Sequence, residues 1–324
     1  MLARAAQNLY WMARYLERAE NTARLINSTT DVLLDLPHGA SLGWDTLIKA
    51  VGLDESFSKH YTQANEDSIM RFMIEDEKNP SSILSCVKYA RENTRTLREL
   101  LPEDLWECIN SLYLYLRANA NLATTSRRER YLVLNNVISK RHAIVGLISG
   151  VMAHDMAYQF IRLGRNIERA DMTTRILDIN FAVSIPEDMA LYEMSVERLW
   201  MNTLKALSAY QTYRRLKAVH VSSKNVIEFL INDEHFPRSL LYCLNEMESC
   251  LRVVPFSEAV LNTVRNSKTN LLRLLSENLD SNQLHELLDL TQKDLGDINT
   301  ALNKQYFHAK VEQKQEQSGT ESVQ

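Results

Sequence analysis

This sequence predicts an all-α fold, a helical bundle built from two internally duplicated halves related by a pseudo-twofold, and three observations carry that prediction. Glycine supplies only 8 of 324 residues and proline 6, against usual shares of ~7% and ~5%, so turn-forming residues are scarce. Leu, Ala, Glu and Arg are abundant instead, and these residues lose little rotamer freedom in a helix. Finally, Glu17-Arg18-Ala19-Glu20-Asn21-Thr22-Ala23-Arg24 returns as Glu168-Arg169-Ala170-Asp171-Met172-Thr173-Thr174-Arg175, an offset of 151.

Residues 2 to about 35 read as one long helix, because Leu9, Met12, Ala13, Leu16, Ala19, Ala23 and Ile26 recur three and four apart. Pro37, His38 and Gly39 end it. A short helix is expected around Trp44 to Val51. Another runs from Asp67 to Glu75, with Ile69, Phe72 and Met73 on one face. Asn79-Pro80-Ser81-Ser82 reads as the start of a helix, with proline in the first turn and Asn or Ser as the cap. That helix is expected to run from Ile83 to Leu100 and stop at Pro102. A long amphipathic run from Leu105 to Ala120 follows, then a basic turn, then a helix from about Arg130 towards Gly146 and Gly150.

The second half retraces the first. Phe72, Asp76, Glu77, Pro80, Ser82 and Cys86 recur as Phe229, Asp233, Glu234, Pro237, Ser239 and Cys243, at an offset of 157. Trp44 and Trp200 lie 156 apart, each followed five residues on by Lys-Ala. Collinear blocks with a slowly changing offset are what duplication plus short insertions leaves behind. The domain is therefore expected to span 1–307, in halves of about 1–150 and 151–307. Helices near 255–279 and 283–307 close it, and the polar stretch 308–324 lacks apolar spacing and reads as a disordered tail.

A net charge of −4 and a pI near 6.1 offer no general attraction to phosphate backbones, which argues against nucleic acid as partner. Arg127-Arg128-Glu129-Arg130 and Tyr213-Arg214-Arg215-Leu216-Lys217 read as solvated helix faces. Cys86, Cys108, Cys243 and Cys250 form no C-x-x-C and read as reduced thiols. No signal peptide and no membrane span is legible, so a cytoplasmic protein without a membrane partner is expected. No P-loop, dinucleotide glycine motif, G-x-S-x-G or Glu-x-x-His occurs, and no histidine pair has metal-ligand spacing. Neither a metal nor a cofactor is expected.

The repeated octets are the candidate site. Arg14, Glu17, Arg18, Glu20 and Arg24 are matched by Arg165, Glu168, Arg169, Asp171 and Arg175. Exposed i,i+4 pairs contribute only ~0.3–0.5 kcal/mol, which gives little reason for a spacing to be kept between two copies. Small residues at Ala13/Gly164, Ala19/Ala170 and Thr22/Thr173 would let the two helices approach closely. All the cations are arginine, which stays charged when desolvated and presents a planar fork. Two readings stay open: a buried ionic network that fixes helix register, and an anion pocket with Arg as clamp and Glu as base or orienter. Asp76, Glu77, Asp233 and Glu234 are secondary candidates, read first as capping residues and second as ligands.

The run Leu9-Tyr10-Trp11-Met12-Ala13-Arg14-Tyr15-Leu16-Glu17-Arg18-Ala19-Glu20-Asn21-Thr22-Ala23-Arg24, together with Asn79-Pro80-Ser81-Ser82, Ala90-Arg91-Glu92-Asn93 and Gly164-Arg165-Asn166-Ile167-Glu168-Arg169-Ala170-Asp171, resembles the bacterial alpha-E domain family over about residues 1 to 307. The resemblance implies an all-α protein encoded beside a circularly permuted ATP-grasp ligase and a transglutaminase-like protein. It would act in making or modifying a peptide-like or amide-linked product. Asp171 departs from the glutamate that Glu20 leads one to expect. The function expected is that of an accessory helical protein that binds such a ligase or its substrate. The alternatives are an enzyme using Glu17 and Glu168 beside an arginine-lined anion pocket, or a self-associating scaffold that forms a homo-oligomer.

Overall fold

The computed structural model describes residues 2–35, 42–183, 192–217, 220–275 and 281–307. Within them every regular element is a helix and no strand occurs. The first half comprises α1 (Ala3–Asp35), α2 (Asp45–Ala50), α3 (Asp54–Ser58), α4 (Glu66–Ile74), α5 (Ile83–Arg95), α6 (Glu103–Thr125) and α7 (Arg127–Val151). The second comprises α8 (Met156–Ala182), α9 (Tyr192–Ala206), α10 (Tyr210–Leu216), α11 (Ser223–Asn232), α12 (Leu240–Val253), α13 (Glu258–Leu275) and α14 (Ser281–Leu302), closed by a π turn at Asn303–Phe307. The expected stop at Pro37 to Gly39 and the tail 308–324 lie outside the described residues.

Helices α1 and α8 form the centre. Against α1 pack α5 and α7, with α6 behind them, and against α8 pack α12 and α14, with α13 behind. The short helices cross over, α2 resting on α8 and α9 on α1. A central helix so surrounded must be apolar or internally neutralised on nearly every face. Leu9, Tyr10, Met12, Leu16, Leu25 and Ile26 of α1 are accordingly buried, as are Phe160, Leu163 and Ile167 of α8.

Caps set several boundaries away from where periodicity alone puts them. Ser82 is the N-cap of α5, its hydroxyl accepting from the Ser85 amide at 3.2 Å, so Asn79 and Pro80 precede the helix instead of opening it. The same geometry recurs at Ser239, which accepts from the Tyr242 amide at 3.1 Å. Helix α5 ends at Arg95, short of Leu100, as the chain turns after Thr94 and Thr96 direct their hydroxyls back to the Ala90 and Asn93 carbonyls. Ser126 caps α7, so the basic run expected as a turn is the first turn of that helix. Arg130 is buried there, donating to the Ala123 carbonyl and to Glu66, and is not on a solvated face.

The turns that follow α2 and α9 share one geometry. Gly52 and Ser208, 156 residues apart, both have positive φ, at 65° and 52°. The next residues, Leu53 and Ala209, donate back to the Ile48 and Leu204 carbonyls at 2.9 and 2.7 Å. Left-handed backbone ending a helix in this way satisfies its last carbonyls, and it is why glycine suits position 52.

Candidate functional site

The site begins with a backbone contact. A Cβ on Gly164 would lie 2.2 Å from the carbonyl oxygen of Tyr10, so α8 can approach α1 this closely only because residue 164 lacks a side chain. Glu168 stands one helical turn further along α8 and Glu17 two turns further along α1, both 0% exposed. Unpaired, a carboxylate buried so deeply would be prohibitively costly. Each is neutralised by the other helix.

Arg169 of α8 donates to Glu17 through Nε at 2.7 Å and Nη2 at 3.2 Å. Reciprocally, Arg18 of α1 donates to Glu168 through Nε at 2.5 Å and Nη2 at 3.1 Å. Both are bidentate fork-to-carboxylate pairs, the strongest form of side-chain hydrogen bonding. Arg14 adds a third bond to Glu168, Nε to Oε2 at 2.7 Å, while its Nη1 donates to Asn299 at 2.9 Å. The outer members follow suit: Arg24 donates to Glu20, and Arg175 takes Asp171 in a fork at 2.8 and 3.2 Å. Arg175 Nη1 also donates to the Ala50 carbonyl, and Arg24 Nη1 to the Ala206 carbonyl and the Ser208 hydroxyl, tying each octet to the left-handed turn beside it.

Burial by itself would raise the Glu168 carboxyl. The Arg18 and Arg14 guanidiniums overcome it and hold that group down to about 2. At Glu17 burial is likewise overcome, by Arg169 first and then by Arg238 and Arg141, so its carboxyl is also lowered. Glu20 lies well below the usual range, where Arg238, a hydrogen bond from His142 and Arg24 outweigh burial. All three are anions held ionised by arginine, ill-suited to exchanging protons near neutrality.

The two ends of the cluster differ. Around Glu17 and Glu20 stand Arg24, Arg141, Arg169 and Arg238, and Arg165 feels the same group of charges. Arg238 donates to Glu20 at 2.6 Å and Asn21 at 2.7 Å, and its own affinity for a proton falls to about 10 through burial. Arg141, with a side chain only 2% exposed, reaches Glu17 through Nη2 at 3.1 Å and leaves Nε and Nη1 buried without a partner. Arg165 makes no hydrogen bond or ion pair among the described residues, its Nε is buried, and burial with Arg169 and Arg141 beside it lowers its pKa. Cationic charge exceeds anionic charge here, and the orphaned donors point to what the cluster can do chemically: hold an oxyanion.

The octet residues named from the sequence thus converge: Arg14, Arg18 and Glu168 form one group, Glu17, Glu20, Arg24 and Arg169 another, with Arg165 at its edge and the Asp171–Arg175 pair beside the first. The secondary candidates do not join them. Asp76 and Asp233 turn their carboxylates onto the amides of Lys78 and His235, each at 2.9 Å, so they shape the two turns. Glu77 pairs with exposed Lys88, and Glu234 is exposed. Among the described residues no group of three His, Cys, Asp or Glu could hold a metal ion, and no helix is long and apolar enough to cross a membrane.

Sequence reasoning missed Arg141, Arg238, His142 and Asn299. A signal existed for Arg238 alone: it stands 157 residues after Ser81, inside the repeated Pro-x-Ser block, at a position where the two copies disagree.

The Alpha-E family, described as a predicted alpha-helical domain with a conserved ER motif, has a model that matches residues 1–307. Glu17-Arg18 and Glu168-Arg169 are two such dipeptides, and in each the glutamate is held by the arginine of the other. Uncharacterised proteins of Mycobacterium bovis and Mycobacterium tuberculosis are 26% identical over 275 residues, covering 78% of this chain and 30% of theirs. This chain thus matches less than a third of the length of those relatives. No solved structure matches.

Proposed function

The chain belongs to the Alpha-E family, and from that premise we propose that it is an accessory, non-catalytic protein serving a circularly permuted ATP-grasp amide or peptide ligase. It holds the peptide-like substrate by an anionic group, at the arginine-rich end of the octet cluster. One observation carries the reading: Arg141 keeps Nε and Nη1 buried and unpartnered beside Arg165, whose Nε is likewise unpartnered. Orphaned guanidinium donors cost stability unless something uses them, and a carboxylate or phosphate fits their planar fork. The carboxylates argue for binding over catalysis, since Glu17 and Glu168 are each occupied by two or more arginines and held ionised. That the matched region is 30% of the mycobacterial chains also suits a domain working alongside other machinery. A cytoplasmic site of action and a transglutaminase-like second partner belong to the same proposal.

Copurification with the neighbouring ligase, followed by ligase assays with and without this protein, tests it. The expected result is a complex, or a lowered KM for the peptide-like substrate, that Arg165→Met abolishes while the helical circular-dichroism signal is unchanged. Ligase activity and substrate KM indifferent to this protein, with no complex formed, would overturn it.

A further inference from the structure

A cavity of about 150 Å³ lies between α1, α8 and the turn after α2, at the opposite end of the cluster from Arg141. Arg18, Glu168, Asp171, Arg175 and Ser81 form its polar wall, and Val51, Leu53, Met73 and Met172 its apolar one. Asp171 and Arg175 are about a fifth exposed, so the cavity reaches solvent beside them, with side-chain exposures of 20% and 22%.

The residues at the repeat offsets form a second site around Glu17 and Glu20, and there the corresponding space is filled. Glu17 answers to Glu168, Glu20 to Asp171, Arg169 to Arg18, Arg24 to Arg175, and Arg238 to Ser81. Arg238 extends its guanidinium between the two carboxylates, with Nη2 to Glu20 at 2.6 Å and Nη1 to Glu17 at 3.5 Å. At the first site Ser81 is too short to do this and only accepts from Arg18 Nη1 at 3.3 Å. The chain itself therefore demonstrates that a third guanidinium is accommodated between carboxylates already carrying arginines.

We propose that this cavity binds a guanidinium group supplied by a ligand, seated between Glu168 and Asp171 where Arg238 sits between Glu17 and Glu20. The size agrees, since a cavity of roughly 150 Å³ takes a benzene-sized molecule, and a guanidinium with two methylenes has a similar number of heavy atoms. The apolar wall suits the methylenes. An anion is disfavoured because the basic groups lining the cavity are committed: Arg18 donates to Glu168 and Ser81, and Arg175 to Asp171 and the Ala50 carbonyl. Spare capacity resides in the carboxylates, each of which offers about four acceptor sites. Asp171 is one methylene shorter than Glu20, which leaves room for an incoming group. The inference stands apart from the ligase partnership and from the oxyanion end of the cluster.

The test uses the full chain, with ethylguanidinium, n-propylammonium, acetate and phosphate as probes at matched ionic strength, followed by calorimetry and thermal shift. Saturable binding of ethylguanidinium, at least tenfold tighter than n-propylammonium, is expected, and Ser81→Arg should weaken it tenfold or more by supplying its own guanidinium. Should Ser81→Arg not fold, Asp171→Asn, which keeps the shape and removes the charge, must show the same loss. Free arginine compared with N-acetyl-arginine N-methylamide then distinguishes a free guanidino compound from an arginine within a peptide. No saturable guanidinium binding, preference for acetate or phosphate, or binding undiminished in the variants would each overturn the proposal.

Discussion

Replacing Glu17 with glutamine isolates the central charge while leaving volume almost unchanged. In the native protein that carboxylate receives Arg169 at 2.7 and 3.2 Å, Arg141 at 3.1 Å and Arg238 at 3.5 Å. Arg238 retains Glu20 and Asn21 after the change, and Arg169 retains the Pro237 carbonyl. Arg141 retains nothing better than an amide, because Glu17 is the one group its guanidinium bonds. Removing one member of a buried ion pair costs about 3–5 kcal/mol, since the partner charge stays buried. At ~2–4 °C per kcal/mol for a chain of this order of size, the expected fall in Tm is roughly 10 °C. Urea denaturation at pH 7, followed by far-ultraviolet circular dichroism, measures it. The reasoning is refuted if Glu17→Gln loses less than ~1 kcal/mol, a typical hydrogen bond's worth. In that case a ligase effect lost without stability would make Glu17 a functional base.

Other expectations follow from the same geometry. Because the folded Glu168 pKa of about 2 lies below its ordinary value of 4.5, its contribution is fully present above about pH 4.5 and is lost as pH falls towards 2. The loss is on the order of 3 kcal/mol, visible as a urea midpoint that drops steeply over that interval and is flat from pH 5 to 7. Glu168→Gln should cost less than Glu17→Gln, at ~2 kcal/mol, because Arg14 and Arg18 keep Asn299 and Ser81 and are 12% and 22% exposed. Gly164→Ala should destabilise by ~2 kcal/mol or more, overpacking against the Tyr10 carbonyl outweighing the ~1 kcal/mol that alanine gains in a helix; a rise in Tm would refute the close approach. Arg165→Met should stabilise by ~1 kcal/mol, since it removes a buried, unpartnered Nε and a cation crowded by Arg169 and Arg141, and thermal melts at low ionic strength check the sign.

The long helices were legible because their apolar spacing is regular: α1 runs from Ala3 to Asp35 almost as its sequence predicts. Helix ends were less so: α5 begins at Ile83 behind a serine cap as read, but it stops at Arg95 instead of Leu100, and the Ser126 hydroxyl opens α7 at Arg127, a signal that periodicity does not register. The site was half legible. Repetition singled out the octets, and Gly164 opposite Ala13 signalled close contact, yet Glu17 and Glu168 bond arginines about 150 positions away. No local pattern specifies such pairing. Arg141 and Arg238 stayed hidden for a related reason, arriving from helix α7 and from the loop before α12, outside the repeated octets.

Reciprocity between the octets also constrains the order in which the chain can become native. Glu168 is neutralised wholly by Arg14 and Arg18 from the first half, whereas Glu17 has Arg141 from the first half and takes its bidentate partner Arg169, with Arg238, from the second. When synthesis has reached residue 150, α1 already carries its carboxylates and arginines, but the complementary helix has not emerged. Severed at that junction, the fragments would each expose a charged seam on a long apolar helix, and co-expression would be the route by which they recover solubility. The pairing thus acts as an assembly checkpoint: the close approach of α8 at Gly164 to the Tyr10 carbonyl fits the register that brings Arg14 and Arg18 to Glu168 and Arg169 to Glu17, and a slip by one turn strands all three arginines at once.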